Sequence, residues 1–159
     1  MTGVQTCALP ISIISLGNLA STYSEQGKWN EAEQLKVQVL DMRKKLLGAN
    51  HPSTLRSMSS LASTYSIQGR WEEAEKLEVQ VLDMKRNLLG VEHPDTLTSM
   101  KNLASTYSSQ GKWNEAEQLE VQVLNICKKI LGAEHPDILG SMANLGKWNK
   151  EEQLEVNNK

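Results

Sequence analysis

Apolar side chains recur along this chain at spacings that fit helices and nothing else. Leu55, Met58, Leu61, Ala62 and Tyr65 follow one another at three, three, one and three residues, which places them on one stripe of a helix. Pro52 stands at the start of that stripe, where a missing N–H is tolerated, and Gly69 stands just beyond it, suited to a left-handed helix end. A second stripe then begins: Trp71, Ala74, Leu77, Val81, Leu82 and Leu88 are predicted to form the buried side of a second helix that stops at Gly90. The whole unit repeats every 42 residues. Trp29, Trp71 and Trp113 share one register, as do Tyr23, Tyr65 and Tyr107, Gly27, Gly69 and Gly111, and His51, His93 and His135. Residues 48–89 and 90–131 are identical at 26 of 42 positions. One helical hairpin cannot bury both of its apolar faces, so the expected fold is all-α, an alpha-alpha superhelix in which stacked hairpins share a continuous core.

The array is not uniform. Repeats are expected at about 12–47, 48–89 and 90–131, followed by a truncated fourth copy at 132–159. In that copy Leu145-Gly146-Lys147-Trp148 aligns with Leu103 followed directly by Gly111-Lys112-Trp113, so seven residues including the Tyr are missing, and Gly146 to Lys159 are expected to fray. Residues 1–11 share no periodicity with the rest. Their string resembles a translated sequencing adapter, which implies an artefactual, disordered leader and a fragment of a longer protein. Pro10 falls in register with Pro52 and is expected to cap the first helix by accident.

Charge sharpens the picture of the helix ends. Glu72, Glu73 and Glu75 crowd the start of the second helix and Lys85 and Arg86 its end, as the helix dipole favours, with Glu31, Glu33, Lys44, Lys45 and Glu115, Glu117, Lys128, Lys129 repeating the arrangement. With 17 Lys and Arg against 19 Asp and Glu, the formal net charge is −2, which gives no bulk attraction to nucleic acid or an anionic membrane. No apolar run reaches the roughly 20 residues of a spanning helix. The expected compartment is cytoplasmic.

The run Leu-Ala-Ser-Thr-Tyr-Ser-x-Gln-Gly-(Lys/Arg)-Trp-x-Glu-Ala-Glu-x-Leu at Leu19 to Leu35, Leu61 to Leu77 and Leu103 to Leu119 resembles the tetratricopeptide repeat. Its 42-residue length and the linker from Leu89 to Leu97 are similar to the kinesin-light-chain subtype. The resemblance implies a protein-binding scaffold; the alternative it leaves open is a detached sensor segment of a larger fungal-type signalling NTPase. Two departures stand out. Lys36, Glu78 and Glu120 occupy the position where the family carries an aromatic, and Val39, Val81 and Val123 the position of a small residue, so contacts between copies are expected to be thinner, with the valines restoring some volume. The heptad coiled coil of a true light chain is absent, so kinesin heavy chain is not an expected partner.

In tetratricopeptide arrays the first helices line a concave groove. Carried over residue by residue, the resemblance puts Asn18, Ser21 and Ser24 there from the first copy, Arg56, Ser60, Ser63 and Ser66 from the second, and Lys101, Asn102, Ser105 and Ser108 from the third, with Asn144 from the stub. Asn can pair with an extended peptide backbone, and Arg56 and Lys101 with an acidic side chain or terminal carboxylate, so a short acidic peptide is the expected ligand. Catalysis and cofactors are not expected. The three His each precede a Pro at a helix start and read as caps or linker packing rather than converging metal ligands. The Trp residues read as core wedges, Cys127 as a small hydrophobe, and the Glu clusters as helix-start charges. No phosphate-cradling Gly loop, metalloprotease motif or nucleophile elbow is present.

Overall fold

The computed structural model describes residues 5–131, with side chains from 12 to 130. They form α1 (Gln5–Glu25), α2 (Trp29–Leu47), α3 (Pro52–Ile67), α4 (Trp71–Leu89), α5 (Pro94–Ser109) and α6 (Trp113–Leu131). No strand occurs among the described residues, and the fold is an all-α helical repeat. The truncated fourth copy, His135 and Asn144 lie outside the described residues.

Several helix boundaries follow from a local chemical signal. At the start of α3 the His51 backbone is extended and its Nδ1 accepts the Ser53 N–H at 3.1 Å, while Pro52 fills the first turn. His93 caps α5 in the same way, accepting from the Asp95 N–H at 3.1 Å. His51 and His93 are therefore N-caps. At the other end of α3, Gly69 takes φ 75° and the Arg70 N–H reaches back to the Tyr65 carbonyl at 2.8 Å, a bond that closes the helix. The basic residue of this turn then folds over the tyrosine: the Arg70 guanidinium lies 4.3 Å from the Tyr65 ring centre, Lys28 5.5 Å from Tyr23 and Lys112 5.4 Å from Tyr107.

The N-terminal helix departs from expectation. A disordered leader over residues 1–11 is contradicted from Gln5 onward, where α1 begins, and Pro10 lies inside that helix rather than capping it. The reason is in the register: Leu9 stands 42 residues before His51 and has no side-chain acceptor, so nothing stops the helix there. Once a helix is nucleated, each added turn costs little.

The core is the predicted stripe, with corrections. Leu55, Met58, Leu61 and Ala62 of α3, Met100, Leu103 and Ala104 of α5, and Ala74, Val81 and Leu82 of α4 are buried, and Val39, Val81 and Val123 all sit in the core. Trp29, Trp71 and Trp113, expected as core wedges, are only half-buried, as are Leu77 and Tyr65, because the indoles lie at the open first turn of each second helix. Leu88 is 52% exposed. Leu88 and its neighbour Leu89 lie at the exposed last turn of α4.

The chain divides into two compact units between Val81 and Leu82. Within the first, α1 packs on α2 and α2 on α3; within the second, α5 packs on α6.

Candidate peptide-binding face

The residues expected to meet a ligand flank the buried stripes, and the helical period carries them outward. Asn18 and Ser21 on α1, Arg56, Ser60 and Ser63 on α3, and Lys101, Asn102 and Ser105 on α5 are all exposed. Ser24, Ser66 and Ser108 are half-buried, and two of these hydroxyls are turned onto their own helices, Ser24 donating to the Ala20 carbonyl and Ser108 to that of Ala104, each at 3.0 Å.

In the first unit a cavity of about 240 Å³ brings Asn18, Ser21, Arg56 and Ser60 together. Ser63 is exposed on α3 but does not line it. The cavity also holds three residues absent from the expected set: Lys36 and Arg43 from α2 and Ser57 from α3. Lys36 Nζ donates to Thr64 Oγ1 at 2.7 Å and to the Ser60 carbonyl at 3.4 Å. Burial pushes the Lys36 ammonium pKa below the usual lysine range. Arg43 Nη1 donates to Ser57 Oγ at 2.5 Å and to the Ser53 carbonyl at 3.1 Å. Arg56 has no partner among the described residues. Three cations therefore face one cavity whose lining contains no carboxylate.

One of these cations belongs to the repeat's own wiring. Fourteen residues separate Arg43 from Ser57, and the same interval separates Lys85 from Ser99. Lys85 Nζ donates to Ser99 Oγ at 2.9 Å and to the Asp95 carbonyl at 3.2 Å, repeating the Arg43 contacts. The sequence carried this signal as a basic residue one repeat apart, followed fourteen residues later by serine. Lys36 carried another: a charge at a position the resemblance expects to be aromatic, read as lost packing when it is a cross-helix hydrogen bond. Its acceptor Thr64 is fully buried, as are Thr54 and Thr96.

The second unit presents a different surface. A cavity of about 320 Å³ is lined by Glu92, Pro94, Leu97, Thr98, Lys101, Cys127 and Ile130. Lys101 thus joins an apolar cavity, while Asn102 and Ser105 line neither this one nor the cavity of the first unit. Cys127 stands in the register of Arg43 and Lys85, and its half-buried thiol faces the apolar lining as a small hydrophobe. Glu120 replaces Lys36 in register; burial raises its carboxyl pKa, and Lys101 opposes that rise. Ion pairs complete the charge pattern. In the first unit Arg70 bonds both Glu33 carboxylate oxygens at 2.8 Å. Burial pushes the Glu33 carboxyl up, but hydrogen bonds from Arg70 and Gln68 outweigh it and hold the group below the ordinary carboxylate value. In the second unit Lys129 pairs with Glu92.

Family models described as tetratricopeptide repeat match residues 12–87 and 96–137. A crystal structure of nearly identical TPR-like repeats from a Podosopora anserina protein, named as a kinesin light chain, is 36% identical, with a TM-score of 0.75 over 93% of this chain and 72% of that one. BtubC (BKLC) from P. vanneervenii shares the fold at 18% identity and a TM-score of 0.78, over 89% of this chain and 57% of that one. The first TPR of Spaghetti (RPAP3), solved with the HSP90 peptide SRMEEVD, shares it at 15% identity and a TM-score of 0.58, over 85% and 90%. No curated protein sequence matches the chain. A repeat of 42 residues, punctuated by His-Pro caps and left-handed glycines and matched by these structures, makes this chain a member of the tetratricopeptide-repeat family, of the kinesin-light-chain-like kind.

Proposed function

We propose that the chain is a non-catalytic scaffold that holds an acidic peptide or a protein segment against the exposed faces of its first helices, without a cofactor. The observation that carries this reading is the carboxylate-free cavity in which Asn18, Ser21, Ser60 and Arg56 meet Lys36 and Arg43. Tetratricopeptide-repeat proteins bind peptides or proteins, and the peptide held by the Spaghetti repeat has three acidic residues. Lys101, Asn102, Ser105 and Ser63 extend the contact surface in this reading, and Asn144 would add to it. Glu33 is clamped by Arg70, and His51 and His93 cap helices. Among the described residues no helix is long and apolar enough to cross a membrane. We place the scaffold in the cytoplasm, where a free thiol such as that of Cys127 persists. The matched families and structures give no support to a detached segment of a signalling NTPase.

The test is an array of decapeptides of varied acidity, screened at fixed ionic strength against the natural chain and Arg56→Glu. Binders should be enriched in Asp and Glu, and the charge reversal should weaken them about tenfold, as loss of an ion pair plus a new repulsion does. Binders without acidic enrichment, or binders indifferent to Arg56→Glu, would sink the reading.

A further inference from the structure

Resting on that reading of the first unit, we propose that its cavity is a subsite for a phosphorylated serine or threonine side chain of the bound peptide, held by Lys36, Arg43 and Arg56. The argument is one of charge, donor count and depth. A carboxylate brings one negative charge to three cations, whereas a phosphomonoester brings about −1.5 to −2 and three acceptor oxygens. The donors left over match that demand. Arg56 keeps its whole guanidinium fork, and Arg43 uses only Nη1, so Nη2 and Nε remain to offer. Lys36, with three N–H donors, has two engaged. Guanidinium forks match the geometry of phosphate oxygens bidentately.

Depth separates a side chain from a surface ion. Arg56, Asn18, Ser21 and Ser60 are exposed and form the rim, while Lys36 and Arg43 are half-buried and form the floor. The floor cations are fixed by hydrogen bonds to Thr64, Ser57 and the Ser53 carbonyl before any ligand arrives, so little side-chain freedom is lost on binding. A phosphate on a short tether can enter from the rim and reach the floor while its peptide backbone stays beside Asn18 and Ser60. Burial of Lys36 agrees with this, since an incoming anion restores the stabilisation that its ammonium lost on leaving water.

The test uses three small probes at constant ionic strength: N-acetyl-phosphoserine amide, N-acetyl-glutamate amide and inorganic phosphate. Backbone and arginine Nε shifts are followed by NMR. The phosphoserine amide should produce saturable shifts centred on residues 14–60, at least about fivefold tighter than the glutamate amide at pH 7.5, and weaker below about pH 6 as the phosphate loses its second charge. Arg56→Gln should weaken it about tenfold with the fold intact, since Arg56 is exposed and has no partner among the described residues. Equal affinity for the glutamate and phosphoserine amides overturns the phosphate assignment and leaves the acidic-peptide reading standing. Inorganic phosphate binding as tightly as the phosphoserine amide overturns the tethered side chain as the source. Absence of shifts from every probe, together with failure of the acidic-peptide array, removes both readings at once.

Discussion

The cavity of the first unit and that of the second are cut from one 42-residue frame, yet one is cationic and the other apolar. Register positions beside the stripe differ between the two units: Arg43 of the first cavity is Cys127 in the second, and Lys36 is Glu120, which does not line the second cavity. None of these positions is in the hydrophobic core, and the residues that are, such as Val39 and Val123, or Met58 and Met100, hold their identity. The comparison teaches that this repeat separates its two tasks. Small and aliphatic residues on the buried stripe set the hairpin, and the charged positions beside the stripe set what each unit presents to solvent.

The most forceful way to break that comparison is to damage the shared frame. Met58 and Met100 are both essentially unexposed, at 1% and 0%. Met58→Ala and Met100→Ala should each destabilise the helix that carries the methionine by about 2–5 kcal/mol, through lost transfer energy and a residual cavity. The two costs should agree to within about 1 kcal/mol, given that sites with the same surroundings respond alike. Native-state amide exchange read separately on α3 and α5 is the suitable measurement, because a repeat array need not unfold in one step. A large inequality would show that the units differ inside as well as outside.

A subtler intervention exchanges the wiring itself. Arg43→Cys copies the third repeat's residue into the first and deletes the hydrogen bonds to Ser57 and the Ser53 carbonyl. Ser57 is only 6% exposed and keeps its own bond to the Ser53 carbonyl, so loss of the arginine's donation should cost about 1 kcal/mol, the usual net worth of one hydrogen bond. Lys85→Cys should cost a similar amount through Ser99 and the Asp95 carbonyl. Thermal unfolding of both variants checks this, and a Lys85→Cys variant as stable as the natural chain would deny that the two bases are equivalent.

How much of this was legible in the sequence depends on whether periodicity or partnership was being read. The repeat length, the six helical segments and the buried positions from Leu55 to Ala62 came from spacing alone, because burial of an apolar stripe is a property of one helix and its period. Helix ends were equally readable where a side chain enforced them, as His51 does. They were misread at Pro10, which lies inside α1 because Leu9 before it has no side-chain acceptor to cap a helix there. Leu88 was misread because an apolar residue in helical register is buried only where another element covers it, and Leu88 is 52% exposed. Of the candidate site, Asn18, Ser21, Arg56 and Ser60, carried over from the resemblance, line the cavity of the first unit. Lys36 and Arg43 were missed because they matter through partners on the next helix, Thr64 and Ser57, a relation between elements that no single stripe displays.

The finest way to sharpen the comparison is acidity, because two glutamates respond to it in opposite senses. Glu33 is held below the ordinary carboxylate value by Arg70 and Gln68 despite burial. Its contribution to stability is present at neutral pH and is lost as pH falls through that lowered folded value. Glu120 is raised by burial, so its charged form weakens the α5–α6 pair at neutral pH, and the penalty is relieved as pH falls through the raised folded value. Acidification should therefore firm the packing around Glu120 first and only later, at lower pH, loosen the Glu33–Arg70 clamp. Carboxyl carbon shifts should show Glu120 taking up its proton at higher pH than Glu33. Amide exchange in α6, corrected for its intrinsic rate, should slow over the first step, and Glu120→Gln should abolish that slowing, while Glu33→Gln should leave it unchanged and remove the later loss near α2. If Glu33 and Glu120 titrate together, the register positions 36, 78 and 120 do not set the local environment in the way their charges imply, and the division of labour between stripe and flank fails at its most sensitive point.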